Sequence, residues 1–176
     1  TINLTGDTNL NTLTLGDGSF GLAGVAGGGT YGVTPSKTSD STPANGVTTL
    51  DIALIRQHIL SPATSSLTTP YKLLAADVNG SSGVSTLDIA LIRQVILGGA
   101  TQFPAGLWRF VPADHVFPDT NAPWTSPSNR WHTNLTANVA AEDFVAIKLG
   151  DVNDSWAMPV GEGSLASGDR VSAASL

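Results

Sequence analysis

The sequence predicts an α+β fold: a small N-terminal β-sandwich, a duplicated loop–helix unit packed with it, and a Trp-rich C-terminal segment. Three observations predict this. Apolar residues alternate along the first 36 positions, with glycine-rich turns between the runs. The string LDIALIRQ occurs twice, at residues 50–57 and 87–94, each time after a loop rich in small oxygen-bearing side chains. All four tryptophans, Trp108, Trp124, Trp131 and Trp156, fall after residue 100, among prolines.

In chain order, Ile2 and Leu4, Leu13 and Leu15, Phe20 and Leu22, and Tyr31 and Val33 mark four short strands. Gly6-Asp7, Gly16-Asp17-Gly18 and Gly27-Gly28-Gly29 supply the turns. So small a sheet does not fold alone and needs a partner layer. Ile52, Ile55 and Ile59 lie at helical spacing, as do Ile89, Ile92 and Ile96, predicting two amphipathic helices of about three turns. Ser61-Pro62 ends the first and Gly98-Gly99 the second. Residues 70–74 form a short helical turn. Residues 107–111 and 131–135 read as strands and residues 141–148 as a further helix. The chain divides into an incomplete β-sandwich (1–37), the repeats (38–100), a Trp-rich mixed segment (101–157), and a linker or donated edge strand (158–176).

A hydrophobic fraction of 41% separates the chain from charged disordered tails. A net charge of −6 with no basic stripe argues against nucleic acid and suits cations instead. Without cysteine there are no disulfides or thiolate metal sites, so a secreted chain needs another staple, and calcium serves that role. No apolar run approaches the 18 residues of a membrane span. The chain opens at Thr1 with no apolar leader, as a mature segment or one repeat of a longer polypeptide does.

The loops carry the chemistry. Calcium takes six to eight oxygens, which a 12-residue loop supplies from positions 1, 3, 5, 7, 9 and 12. In the second repeat these are Asp77, Asn79, Ser81, the Gly83 carbonyl, Ser85 and Asp88, with Val84 turned toward the core. In the first they are Asp40, Thr42, Ala44, Gly46, Thr48 and Asp51, a poorer set because Ala44 offers only its backbone. A purely structural alternative treats Ser85-x-x-Asp88 and Thr48-x-x-Asp51 as helix caps. Caps do not explain Asp77 and Asn79, nor the duplication of the whole unit. A half-motif recurs at Asp151-Val152-Asn153, a copy of Asp77-Val78-Asn79. It either completes a site with ligands from elsewhere or is a turn.

These repeats resemble type I dockerin repeats, whose signature is a D-x-N half-loop, a hydrophobic residue at position 8, an acid at position 12 and then a helix. The resemblance implies Ca2+ as cofactor and a cohesin-like docking partner. Ser81 and Ala44 stand at position 5, where dockerins carry Asp, and the repeats lie 37 residues apart. The succession YGVTPSK, NGVTTLDIALIRQHIL, AADVNGSSGVSTLDIALIRQ, DFVAIKLGDVND resembles repeat regions of large secreted surface proteins of Bacteroidota-type bacteria. There a carboxypeptidase-regulatory-like sandwich (Ig-like or transthyretin-like) is joined to dockerin-like repeats. That resemblance implies a non-enzymatic, extracellular, adhesive or structural role. Asp40-Ser41-Thr42 resembles an O-glycosylation site of the same group, implying a glycoprotein.

Such sandwiches carry a strand before the segment matching residues 1–4, and residues 168–176 look like that strand. Donated to the next copy, it would join subunits head to tail into a fibril; a chain boundary inside a longer polypeptide is the alternative. Catalysis has little support, since His58, His115 and His132 are scattered and no HExxH or G-x-S-x-G occurs. Glu142-Asp143 reads as first-turn helix charge. Trp124 and Trp131 either pack in the core or form a glycan platform, as in a carbohydrate-binding module.

Overall fold

The computed structural model describes residues 1–38, 40–158, 170–171 and 173–175. It is α+β, with small sheets and three α-helices among the described residues. Strand β1 (Ile2–Gly6) runs antiparallel to β2 (Leu10–Thr12) on one side and to β4 (Tyr31–Pro35) on the other. Leu4 faces Leu10 and Val33 across these pairs. Strand β6 (Arg130–His132) extends the sheet beyond β4. Gly32 faces Trp131 there, and a Cβ on Gly32 would come within 3.0 Å of the indole, so the missing side chain makes room for the ring.

A second sheet pairs β5 (Trp108–Pro112) with β7 (Phe144–Lys148) over five residues. Ile2, Leu4, Phe20, Leu22, Tyr31, Val33, Phe110 and Phe144 form one buried cluster, so the N-terminal strands and the β5–β7 pair share a core. Near the C-terminus, β8 (Arg170–Val171) adds to β7 antiparallel, and β9 (Ala173–Ser175) runs parallel to β3 (Phe20–Gly21). One segment therefore lies between β7 and β3. The linker before it, residues 159–169, lies outside the described residues, as do Ser172 and Leu176.

The helices make a separate core. Helix α1 (Thr49–Leu60) begins at a Thr48/Asp51 capping box, and α3 (Thr86–Ile96) at a Ser85/Asp88 box. Between them α2 (Pro70–Ala76) starts with Pro70 in its first turn, capped by Thr69. Ile55 and Ile92, equivalent in the two repeats, are fully buried, and Ile52, Ile59, Ile89 and Ile96 pack around them. The same cluster takes in Leu107, Val111, Ile147, Leu149 and Val152. Residues on both sides of position 100 thus share one core.

Three local expectations are corrected. Leu13 and Leu15 are 72% and 67% exposed and belong to no strand. The second strand lies earlier, where Leu10 opposes Leu4, and the backbone then turns tightly, Leu15 bonding to Ser19 and Gly18 to Leu15. Residues 141–148 are not helical. Ala141 has φ +61°, which no α-helix accommodates, and the Phe-Val-Ala-Ile-Lys run that follows pairs with β5. Glu142 is consequently not a first-turn helix charge: it is buried beside Arg130, 3.4 Å away, and His132, 3.2 Å away.

Asp40 and Lys148 form an ion pair 3.0 Å long with both side chains buried. Burial pushes the Lys148 ammonium below its ordinary value, and Asp40 opposes that by bonding to the charged form. Removing one partner of such a pair leaves an uncompensated buried charge. Lys148→Ala is therefore expected to lower the unfolding free energy by about 3–5 kcal/mol in denaturant melts. The double change Asp40→Leu, Lys148→Met should recover most of that loss; a double variant as unstable as the single one contradicts this account.

Candidate metal centre

Helix α2 delivers Asp77 at its C-terminal end, and α3 begins just after Ser85. Residues 77–88 fold around the two carboxylates at their ends. Asp77 Oδ1 accepts from Ser81 N and Oδ2 from Ser82 N, both at 2.9 Å. Asn79 Oδ1 also accepts from Ser81 N, at 2.9 Å, and Asn79 N donates to Asp88 Oδ1 at 3.3 Å. Ser81 Oγ donates to the Gly83 carbonyl at 3.4 Å. Ser85 N and Oγ both donate to Asp88 Oδ2, at 2.9 and 2.8 Å. Left-handed backbone at Gly80 (φ +71°) and Ser82 (φ +65°) gives the loop its curl. All six predicted positions thus belong to one bonded loop.

The first repeat is arranged differently. Its helix end copies the second: Thr48 N and Oγ donate to Asp51 Oδ2 at 2.8 and 2.9 Å. The residues predicted to complete the loop from upstream are engaged elsewhere. Asp40 Oδ2 is bound by Lys148, Asp40 Oδ1 accepts from Thr42 N at 3.3 Å, and the Ala44 carbonyl accepts from Val47 N at 2.9 Å.

The half-motif at residues 151–153 meets α1 instead. Val152 N donates to Asp51 Oδ1 at 2.9 Å. Asp151 Oδ1 accepts from Asn153 N at 3.3 Å and Ser155 N at 3.0 Å, and Oδ2 accepts from Trp156 N at 2.6 Å. Ser155 Oγ donates to the Gly46 carbonyl at 2.9 Å. Gly46 has φ +78°, and a Cβ there would lie 2.6 Å from Asp151 Oδ2 and 2.7 Å from Trp156 N, so only glycine fits. Ser155 was missed in the sequence, although Asp151-x-Asn153-x-Ser155 repeats the spacing of Asp77-x-Asn79-x-Ser81.

Electrostatics separates these loops from ordinary turns. Asp51 and Asp88 are 0% exposed, and Asp77 and Asp151 are 4% exposed. Among the described residues none of the four makes an ion pair. Burial pushes the Asp151 carboxyl up; amide hydrogen bonds oppose that, and the Asp51 charge adds to it. Arg109, itself pushed down by burial, feels the charge of Asp77. Buried carboxylates without a cation are costly. No three His, Cys, Asp or Glu side chains cluster among the described residues. Each constellation combines two carboxylates with amide, hydroxyl and carbonyl oxygens, a hard-oxygen set suited to calcium rather than to a soft transition metal.

The remaining candidates do not converge. His58 contacts Ser65, His115 packs edge-on to Phe117, and His132 faces Glu142. Trp108 and Trp156 pack edge to face with centroids 5.0 Å apart, Trp124 packs on the helical core, and Trp131 is largely exposed.

Asp88 both caps α3 and closes the loop, and the two roles separate experimentally. In chelator, Asp88→Ala strands the Asn79 and Ser85 donors and should cost roughly 1–3 kcal/mol in denaturant melts. Asn79→Ala should cost little in chelator and show its loss only when calcium is added. Equal losses for both variants in chelator contradict this division.

Residues 40–100 match the family profile of the dockerin type I domain, which covers both repeat helices and the intact loop but not residues 151–155. Neither the curated proteins nor the solved structures yield a match.

Proposed function

We propose that the chain is a non-enzymatic, calcium-stabilised extracellular structural or adhesive module. In this reading Asp77, Asn79, Ser81, the Gly83 carbonyl, Ser85 and Asp88 hold Ca2+, and copies join head to tail by exchanging the C-terminal strand. The observation that carries it is the pair of buried carboxylates, neither in a contact ion pair among the described residues, at the two ends of an oxygen-rich loop. A divalent cation would neutralise both at once, and the match to the dockerin profile supports the same ion.

The strand arrangement supports the assembly. Residues 170–171 pair with β7 and residues 173–175 with β3, and β3 has no other strand partner among the described residues. The N-terminal strands with β5 and β7 then form a sandwich whose final strand comes from the tail. A strand seated within its own subunit makes the same backbone bonds when it comes from a neighbour, so exchange costs few contacts. Each subunit then offers a tail and accepts one, which builds a fibril.

A second reading, docking to a cohesin-like protein, is favoured by a duplicated apolar surface. Leu50 and Leu87 are 54% and 56% exposed, and Leu60 and Leu97 are 70% and 75% exposed, at equivalent points of the two helices.

Calcium at a hundredfold excess over its Kd should stabilise the fold by about 2.7 kcal/mol, seen as a raised Tm that chelator reverses. An unchanged Tm sinks the calcium reading. Purified protein with calcium should form filaments under negative stain, and deletion of residues 168–176 should leave monomers. Filaments that persist in the deletion rule out strand exchange, and assembly only with a second purified protein favours docking.

A further inference from the structure

We infer that this protein carries a second, split cation site, assembled from Asp151, Asn153, Ser155, the Gly46 carbonyl, Thr48 and Asp51, in which one Ca2+ joins two distant parts of the chain. The inference rests on the calcium reading of the intact loop and extends it to residues outside the matched domain.

Most contacts of the intact loop have a counterpart here. Asp77 accepts amides four and five positions ahead, and Asp151 does the same from Ser155 and Trp156. The Ser81 hydroxyl bonds the Gly83 carbonyl, and the Ser155 hydroxyl bonds the Gly46 carbonyl. Ser85 bonds Asp88 through N and Oγ, as Thr48 bonds Asp51. An amide from the D-x-N half reaches the far carboxylate in both, from Asn79 in one and Val152 in the other. Val78 and Val152, the middle residues of the two half-loops, are both fully buried in one core. The intact loop has a continuous backbone between Ser81 and Gly83, whereas here two separate segments meet at the Ser155–Gly46 bond.

Independent support for a ligand comes from Asn153. Its Oδ1 is buried and has no hydrogen-bond partner, although it occupies loop position 3, where a calcium loop places a side-chain oxygen. A buried acceptor left unmatched is costly, and a cation would satisfy it. The sites share two carboxylates, one amide, two hydroxyls and one carbonyl, so both would hold the same hard cation. The ion at the split site would act as a cross-link, because Asp51 and Val152 are 101 positions apart.

Native mass spectrometry of the full chain with calcium chloride should show two ions bound. Asp151→Asn and Asp77→Asn should each leave one, and the double variant none. Asn153→Ala, a milder change in a half-buried side chain, should weaken one ion at least tenfold in calorimetric titration and leave the other unchanged. Circular dichroism in chelator should match the unsubstituted protein. If the chain binds one ion that only Asp77→Asn removes, the split site is overturned and the intact loop stands. If no ion binds, both readings fail. Loss of the second ion in Asp40→Asn but not in Asp151→Asn or Asn153→Ala would assign it to the continuous first repeat and overturn the split site.

Discussion

Two pairs of buried aspartates set the terms for the helical half of this protein. Asp77 with Asp88, and Asp51 with Asp151, are brought together by short amide bridges, and in neither pair does a lysine or arginine supply a contact ion among the described residues. Local hydrogen bonds reduce the cost of burying each carboxylate without removing it. The unfolded chain hydrates and separates the same groups. A cation that binds only the folded arrangement therefore shifts the equilibrium toward it, and folding and ion binding become one equilibrium.

The loops are tied to the core rather than appended to it. Val78 and Val152 lie between an aspartate and an asparagine, yet both are fully buried beside Ile55 and Ile92. Each half-loop thus alternates an oxygen turned to the site with an apolar side chain turned to the core. Val47, just after Gly46, joins the same cluster. Displacing any of these valines moves the oxygens on either side, so packing defects reach the site without touching a ligand.

What the sequence made legible follows the distance between interacting residues. The two helices, their caps and the intact loop depend on contacts within about a dozen positions, and spacing alone locates them. The Asp151 half-loop was visible as a string, but its partner was not, because Gly46 and Ser155 are 109 positions apart. Asp40 fitted the loop numbering equally well, and only the structure shows its charge committed to Lys148. Residues 141–148 fail for another reason. A short run such as Phe-Val-Ala-Ile-Lys fits a buried helix turn or a strand, and strand pairing with residues 108–112 decides between them.

The Asp40–Lys148 pair also explains how one helix end comes to take its half-loop from so far away. At the Asp51 end of α1 the residues that make these contacts are 151–155. Lys148 lies at the end of β7, three positions before Asp151, with its charge over the Trp108 ring at 5.3 Å. Its ion pair with Asp40 commits that carboxylate away from the Asp51 end of α1. Asn45 then contacts Ala157 through both amide atoms, closing the exchange just beyond Trp156. Ala44 has no side-chain oxygen, and in the split site proposed above Ser155 would take the corresponding position.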